Sequence, residues 1–220
     1  MNTDPGILCF QHCDKKVFCF ELPEICPVCS KDLSTAQFKL LPTRIPYPFV
    51  RAAQHPCSIL IKPTSGDFLN DYFNSVDLHI GVTDSTGAVV EYDKNGLQRQ
   101  KNNQWNQCLV LDGMDESWAD QWDEALKTVI KEGHWTPQMY NENSHNCYTF
   151  VLAFLQKLEH DLLSNAANSS IYFCEKFILP RTTAAGKYIS LYRKLRAVDC
   201  YIHAGPDVNL RPYQEPVPSR

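Results

Sequence analysis

Residues 140–158 read Y-N-E-N-S-H-N-C-Y-T-F-V-L-A-F-L-Q-K-L. The first half of this stretch is polar and typical of a turn. The second half carries apolar side chains three and four residues apart, which predicts an amphipathic helix; they are Phe150, Val151, Phe154, Leu155 and Leu158. Asn146 or Ser144 can serve as its N-cap. Cys147 falls on the same apolar stripe, so we expect its thiol to lie in the first helical turn and to point inward.

The position of Cys147 is consistent with two roles. A thiol in the first turn of a helix is close to unpaired backbone amides and to the positive end of the helix dipole, and both favour the thiolate. Cysteine nucleophiles occupy such positions. A free cysteine on an apolar stripe is also a common core residue, however. The sequence around Cys147 alone therefore leaves a nucleophile and a buried structural thiol as alternatives.

A second stretch, residues 76–92, reads V-D-L-H-I-G-V-T-D-S-T-G-A-V-V-E-Y. Aliphatic residues alternate with other residue types in its first half, which predicts a half-buried strand, and residues 84–87 form a turn into a second strand. His79 lies on the non-aliphatic face of the first strand. Gly81 beside it leaves room for the end of a neighbouring helix. The alternative is a solvated histidine on a polar strand face.

Together the two stretches resemble the circularly permuted papain-like group, which includes the PPPDE thiol peptidases and the lecithin-retinol acyltransferase-like proteins. The resemblance rests on H-x-G in a strand, a hairpin, and N-C-x-x-F at the start of a helix, and it covers roughly residues 58–159. The run from Tyr140 to Phe150 is particularly similar to the PPPDE cysteine motif. The resemblance implies Cys147 as nucleophile and His79 as base, with the histidine preceding the cysteine, the reverse of papain.

A third catalytic residue is not defined by this resemblance. The acyltransferase-like branch has a second histidine on the next strand, where this chain offers Glu91 or Tyr92. His145, two residues before Cys147, is an alternative base, but it precedes the predicted helix. Over its whole length the chain also resembles an uncharacterised vertebrate family, the makorin-2 opposite-strand proteins, whose family name states a genomic position and no activity.

The N-terminus is rich in metal-binding residue types, because five of the ten cysteines fall in the first 29 residues. Cys26-Pro27-Val28-Cys29 has the form of a zinc knuckle, in which one tight turn supplies two thiolates. We predict that one structural zinc ion binds four of five candidates, which are Cys9, His12, Cys13, Cys26 and Cys29. Cys19 belongs to a predicted strand and is the least expected ligand. The segment resembles a zinc ribbon, and so short a segment needs a metal to supplement its small core.

The remaining periodic segments predict an α+β fold. Strands are expected at residues 58–62, 107–112 and 198–203, and helices at 118–130 and 182–196, with a polar break at 163–170 and an ambiguous segment at 171–179. We therefore expect a permuted papain-like core with an antiparallel sheet packed on helices. The predicted divisions are a zinc-ribbon-like module at 1–40, the papain-like domain at 41–205, and a proline-rich disordered tail at 206–220.

Charge and hydropathy exclude several classes of partner. The formal net charge is −4 and the longest basic run is a pair of lysines, which gives no basis for a nucleic-acid surface. The sequence has no apolar run of membrane-spanning length, and its N-terminus lacks the charged and apolar regions of a signal peptide. We therefore expect a cytoplasmic or nuclear protein. In a reducing compartment, ten cysteines indicate metal sites and buried thiols more than disulfides.

Two functions fit these patterns. The first is a cysteine hydrolase that acts on a peptide, isopeptide or other acyl bond through a Cys147–His79 dyad. The second is a catalytically inactive papain-like scaffold or protein-binding module with a structural zinc site. Both predict a protein partner or protein substrate, with no nucleic acid and no membrane span, and both leave the oligomeric state open.

Overall fold

The computed structural model describes residues 5–100 and 103–203. These residues form a mixed α+β protein with two antiparallel sheets. They divide into two compact units: a smaller unit of residues 5–48 and 186–203, and a larger unit of residues 49–185. The predicted disordered tail, residues 206–220, lies outside the described residues.

The smaller unit is built on a four-stranded antiparallel sheet of order β3-β1-β2-β9. Its strands are β1 (Leu8–Gln11), β2 (Lys16–Cys19), β3 (Leu40–Arg44) and β9 (Cys200–Ile202). Pro42 interrupts β3, which is tolerated because β3 is an edge strand and needs fewer ladder hydrogen bonds. The core is small, and two of its buried members are cysteines; it comprises Phe10, Val17, Cys19, Cys26 and Leu33.

The larger unit contains a five-stranded antiparallel sheet of order β7-β6-β5-β4-β8. Its strands are β4 (Ser58–Pro63), β5 (Leu78–Thr83), β6 (Val89–Asp93), β7 (Gly96–Gln100) and β8 (Leu109–Gly113). The predicted strands at 58–62, 76–82 and 107–112 are confirmed to within two residues at each end. In the β5–β6 turn, Gly87 has a φ of 78°, and a Cβ there would lie 2.7 Å from the Ala53 carbonyl oxygen. Only glycine fits this turn without strain.

The helices follow the sheet in the chain. They are α1 (Ala119–Lys131), α2 (Cys147–Leu158), α3 (Asp161–Ala166), α4 (Ser170–Phe173) and α5 (Leu179–Leu195), with a π-helical segment, Cys174–Ile178, between α4 and α5. Short 3-10 segments lie at Ala52–Gln54, Asn103–Trp105, Glu116–Trp118 and Pro137–Met139. In the described part of the chain, no helix has the length and apolar composition to cross a membrane.

One segment differs from the sequence prediction, and another that the sequence left ambiguous has a definite structure. The predicted polar break at 163–170 is wrong in its first half, because α3 continues to Ala166. Leu163 and Ala166 are fully buried, and their three-residue spacing gives this short helix one apolar side. The ambiguous segment at 171–179 is helical throughout.

Helix α1 is anchored to the sheet by Trp122. Its indole Nε1 donates a hydrogen bond to the Thr83 carbonyl over 2.7 Å, and its ring meets the Phe154 ring of α2 edge-on at 4.7 Å. Trp122 is fully buried. A single side chain of α1 therefore ties the end of β5 to α2 as well.

Replacing Trp122 with Phe should lower the free energy of unfolding by about 1–3 kcal/mol, because the buried Thr83 carbonyl loses its indole donor. Urea unfolding followed by far-ultraviolet circular dichroism measures the change. Trp118→Phe is the matched control, since Trp118 is only half-buried. A loss of stability no larger than that of the control would contradict the anchoring role of Trp122.

Candidate active site and metal centre

The start of α2 is fixed by a capping box. The Asn146 side chain accepts hydrogen bonds from the amides of Tyr148 and Thr149 at 3.0 and 3.2 Å, and the Thr149 hydroxyl accepts one from the Asn146 amide at 2.8 Å. Asn146 is thus confirmed as the N-cap. Cys147 is the first helical residue and its side chain is buried, with 6% exposure. The Asn146 side chain therefore accepts from the amides of Tyr148 and Thr149 but not from the amide of Cys147.

The structure brings His79 against Cys147. His79 lies in β5 and its side chain is hydrogen-bonded to the Cys147 thiol. It is buried, with 8% exposure, so the alternative of a solvated histidine on a polar face is wrong. The nucleophile and base predicted from two stretches almost seventy residues apart are therefore direct neighbours.

Glu91, one of the two candidates for a third member, is the carboxylate partner of His79. The His79 Nε2 and Glu91 Oε2 atoms lie 2.8 Å apart, and both side chains are buried. The strand register explains the contact, since extending the pair Val82–Val90 by one residue puts Glu91 opposite Gly81. His79 then lies diagonally across from Glu91 on the same face of the sheet.

Tyr92, the other candidate, has a different role. Its hydroxyl donates to the Thr136 carbonyl over 2.9 Å, and its ring lies 5.4 Å from the Tyr140 ring. Tyr92 therefore packs the loop that precedes α2 against the sheet. As neighbours in one strand, Glu91 and Tyr92 point to opposite faces, which separates the two roles.

Trp105 completes this buried group. Its indole Nε1 donates to Glu91 Oε2 over 3.2 Å, the same oxygen that contacts His79. A Cβ on Gly81 would lie 3.1 Å from the Trp105 ring, so the missing side chain makes room for the indole. Sequence reasoning did not find Trp105, because it lies in a short 3-10 segment outside every periodic element. The one sequence signal is Gly81, for which we predict space for a helix end, whereas the structure fills that space with the Trp105 ring.

The positive charges of His79 and Lys62 stabilise the negative charge of Glu91. Lys62 is the β4 neighbour of His79, and its ammonium lies 5.4 Å from the centre of the Trp105 ring. Burial alone would raise the pKa of Glu91, but the His79 contact, the Trp105 donor and the Lys62 charge outweigh it and lower the pKa. The net effect is an ionised carboxylate beneath His79 at neutral pH.

The pKa of His79 moves in the opposite direction. Burial would lower it, but the hydrogen bonds to Cys147 and Glu91, with the negative charges of those groups, raise the pKa of His79 to about 9. The imidazole is therefore protonated at neutral pH when Cys147 and Glu91 are its partners. Such an arrangement can hold a thiolate beside an imidazolium.

His145, the alternative base, is engaged elsewhere. Its Nε2 lies 2.9 Å from the His134 carbonyl oxygen, and its ring stacks on Trp135 with the centroids 4.7 Å apart. Tyr140 and His145, which gave the cysteine motif much of its recognisable character, thus help to pack the loop in front of α2. Of the two histidines considered, His79 is the one that the structure hydrogen-bonds to Cys147.

In the smaller unit, four of the five predicted metal ligands converge. The donor atoms of His12, Cys13, Cys26 and Cys29 all lie within 4.8 Å of one another. The Cys13 and Cys26 sulfurs are 3.8 Å apart, and the Cys29 sulfur is 3.3 Å from His12 Nδ1. Cys9 lies in β1 and is outside this cluster. These four residues could hold a metal ion.

The knuckle turn is shaped by its own backbone. The Ser30 amide donates to the Cys26 carbonyl over 2.9 Å, and the Cys26 amide donates to the Lys31 carbonyl over 2.8 Å. Burial would raise the pKa of Cys26, but the amides of Cys29 and Val28 lower it to about 6. The turn therefore stabilises the thiolate, which is the form that binds metals.

Comparison with known proteins assigns the chain to a family. A model described as DUF4796 C-terminal matches residues 42–195, and one described as DUF4796 N-terminal matches residues 5–33. The chain is 33% identical over 212 residues to the Homo sapiens protein named MKRN2 opposite strand protein, which covers 94% of this chain and 93% of that protein. No solved structure matches the chain. Both candidate sites lie within the matched segments, and the chain belongs to the DUF4796 family.

Proposed function

We propose that the larger unit is a cysteine hydrolase of permuted papain-like architecture that cleaves a peptide, isopeptide or other acyl bond. The observation that carries the proposal is the buried series of contacts from Cys147 through His79 to Glu91. A cysteine at the start of a helix, a histidine on an antiparallel strand and a carboxylate on the next strand supply a nucleophile, a base and an orienting group. A protein or peptide is the expected substrate class.

The residues have distinct roles in the reaction. The Cys147 thiolate attacks the substrate carbonyl carbon, and the amide of Cys147 donates a hydrogen bond to the oxyanion that forms. Because Nε2 of His79 faces Glu91, its Nδ1 carries the proton that goes to the leaving amine or alcohol as the carbonyl bond to that group breaks. An acyl thioester on Cys147 remains.

The second half of the reaction uses the now neutral His79. It takes a proton from a water molecule that attacks the thioester carbonyl, and the bond to the Cys147 sulfur breaks. The products are a carboxylic acid and the free leaving group, and the thiolate–imidazolium pair is regenerated. Glu91 stays ionised throughout and keeps the imidazole in one orientation, while Trp105 holds the Glu91 carboxylate in place.

Lipid esters and amides are less well supported as substrates than peptide bonds. The acyltransferase-like branch has a second histidine where this chain has Glu91, and that carboxylate is hydrogen-bonded to His79. The site therefore combines a cysteine, a histidine and an acidic residue. The remaining alternative, an inactive scaffold that keeps this fold, is separated from the enzyme by the reactivity of Cys147.

Iodoacetamide should alkylate Cys147 of the wild-type protein readily at pH 7, because a neighbouring imidazolium favours the thiolate. His79→Ala removes that imidazolium, so we expect the rate at pH 7 to fall at least ~10-fold. The difference should disappear above about pH 9, where His79 loses its proton. Mass spectrometry across the pH range measures both profiles.

Cys174 serves as an internal control, because burial raises the pKa of its thiol and His79→Ala should leave its alkylation unchanged. Superimposable Cys147 profiles in the two proteins would show that the two residues are not coupled. A Cys147 that reacts only after unfolding would replace the hydrolase with the scaffold.

Glu91→Gln should lower the pKa of His79 from about 9, since the variant removes the negative charge next to its Nε2. Nuclear magnetic resonance titration of the His79 ring protons reads this change directly. Glu124→Gln on the exposed face of α1 is the matched control. If the two variants titrate alike at His79, Glu91 is not the group that holds its proton.

We also propose that the smaller unit is a zinc-ribbon-like module with one structural zinc ion bound by His12, Cys13, Cys26 and Cys29. A tetrahedral centre with Zn–S near ~2.3 Å and Zn–N near ~2.0 Å implies S···S and S···N separations of ~3.8 Å and ~3.5 Å. Two donor pairs match these values, at 3.8 Å and 3.3 Å, and the other pairs lie within 4.8 Å, so small side-chain movements would close the site around this metal. Three thiolates and one imidazole are a common structural zinc set.

Cys26→Ser should abolish zinc binding and unfold the smaller unit, because a structural zinc ion supplies much of the folding free energy of so small a core. Plasma mass spectrometry gives the zinc content, and hydrogen exchange of β1 and β2 amides reports the folding. Cys9→Ser is the control and should retain one zinc ion per chain. Protein that lacks zinc as purified and keeps its full stability in a chelator would refute the site.

A further inference from the structure

Two cysteines outside the metal cluster face each other across the smaller sheet. Cys19 is the last residue of β2, and Cys200 is the first residue of β9. The two residues are register partners in this antiparallel pair. The His203 amide donates to the Lys16 carbonyl over 2.9 Å at the other end of this strand pair. Hydrogen-bonded and non-hydrogen-bonded pairs alternate along antiparallel strands. Counting from Lys16–His203, the pair Cys19–Cys200 is a non-hydrogen-bonded one.

This type of pair has the geometry that a disulfide needs. In non-hydrogen-bonded pairs the Cα atoms lie ~4.5 Å apart and the side chains are on the same face. Disulfides span Cα separations of ~4.4–6.8 Å. The register of Cys19 and Cys200 is therefore compatible with a disulfide between β2 and β9. Cys9 has no such partner, because it pairs with Phe18 on one side and Thr43 on the other.

The two thiols differ in access. Cys19 is fully buried, whereas Cys200 is partly exposed at the edge of the same apolar cluster. Cys200 is thus the thiol that an external reagent reaches first, and Cys19 is placed to react with it afterwards.

We propose that Cys19 and Cys200 are an oxidisable pair that reacts with a low-molecular-weight disulfide such as glutathione disulfide to form a cross-strand disulfide between β2 and β9. The Cys200 thiolate attacks one sulfur of the reagent, forming a mixed disulfide and releasing one thiolate. The Cys19 thiolate then attacks the Cys200 sulfur, and the second reagent thiol leaves. Two protein thiols are oxidised and one small disulfide is reduced to two thiols.

The disulfide would link the short edge strand β9 covalently to β2. Strand β9 has three residues and lies at the edge of its sheet, where β2 is its neighbour. In the reduced protein, so short an edge strand opens easily and uncovers the β2 edge. A covalent link at Cys200 keeps β9 in register. The smaller unit would thus present or cover a strand edge according to the redox state of the pair.

The test uses the full chain with zinc bound, treated with glutathione disulfide and then freed of it. Intact mass should fall by two hydrogen atoms, and peptide mapping should find Cys19 joined to Cys200. Hydrogen exchange of the β9 amides should become at least ~10-fold slower after oxidation. Cys9→Ser, a control in the same sheet, should behave as the wild type.

Two variants test the order of steps. Cys19→Ser should stop at a glutathione adduct on Cys200, because the resolving thiol is gone, whereas Cys200→Ser should give neither the adduct nor the disulfide. Failure of the wild-type chain to lose two hydrogen atoms, or a disulfide that joins other cysteines, would overturn the proposal. Neither readout depends on hydrolase activity, so this inference and the proposed function stand or fall separately.

Discussion

The buried contact between His79 and Glu91 is the constraint on which the arrangement of the larger unit depends. Burying a charged pair carries a large desolvation cost unless its remaining hydrogen-bonding capacity is used. Here the Glu91 oxygen that faces His79 also accepts the Trp105 indole, and the imidazole is bonded to Cys147. Each of these groups uses the hydrogen-bonding capacity of another, so the sheet, the 3-10 segment and the start of α2 depend on one another in the folded structure.

The register of the strands places the members of this polar group next to one another. Three neighbouring strands, β4, β5 and β6, bring Lys62, His79 and Glu91 to one face of the sheet, and Gly81 leaves the space that the Trp105 ring fills. A slip of one residue in any of these strands would turn its side chain to the opposite face. The polar group therefore specifies the register, while the aliphatic residues that alternate with it supply the apolar burial.

Much of this could be predicted from sequence, because the information is local. The spacing from Phe150 to Leu158 and the polar residues before it predicted α2 and its Asn146 cap, and the alternation around His79 predicted β5. The pairing of Cys147 with His79 rested on resemblance to a family, and the structure places the two side chains in contact. Local pattern and family resemblance thus supplied the two interacting side chains, while the spacing of cysteines and a histidine supplied five candidate metal ligands, of which four converge.

What the sequence did not predict depends on contacts between distant residues. Trp105 reaches Glu91 from a segment without periodicity, and the choice of Glu91 over Tyr92 follows from which face of β6 meets His79. Cys9 has a spacing suitable for a zinc ligand, yet its place in β1 keeps it out of the cluster. Cys200 pairs with Cys19 only because the chain returns to the first sheet after about 180 residues. In each case the residue types are visible in the sequence, but their roles are decided by strand order, which no local pattern encodes.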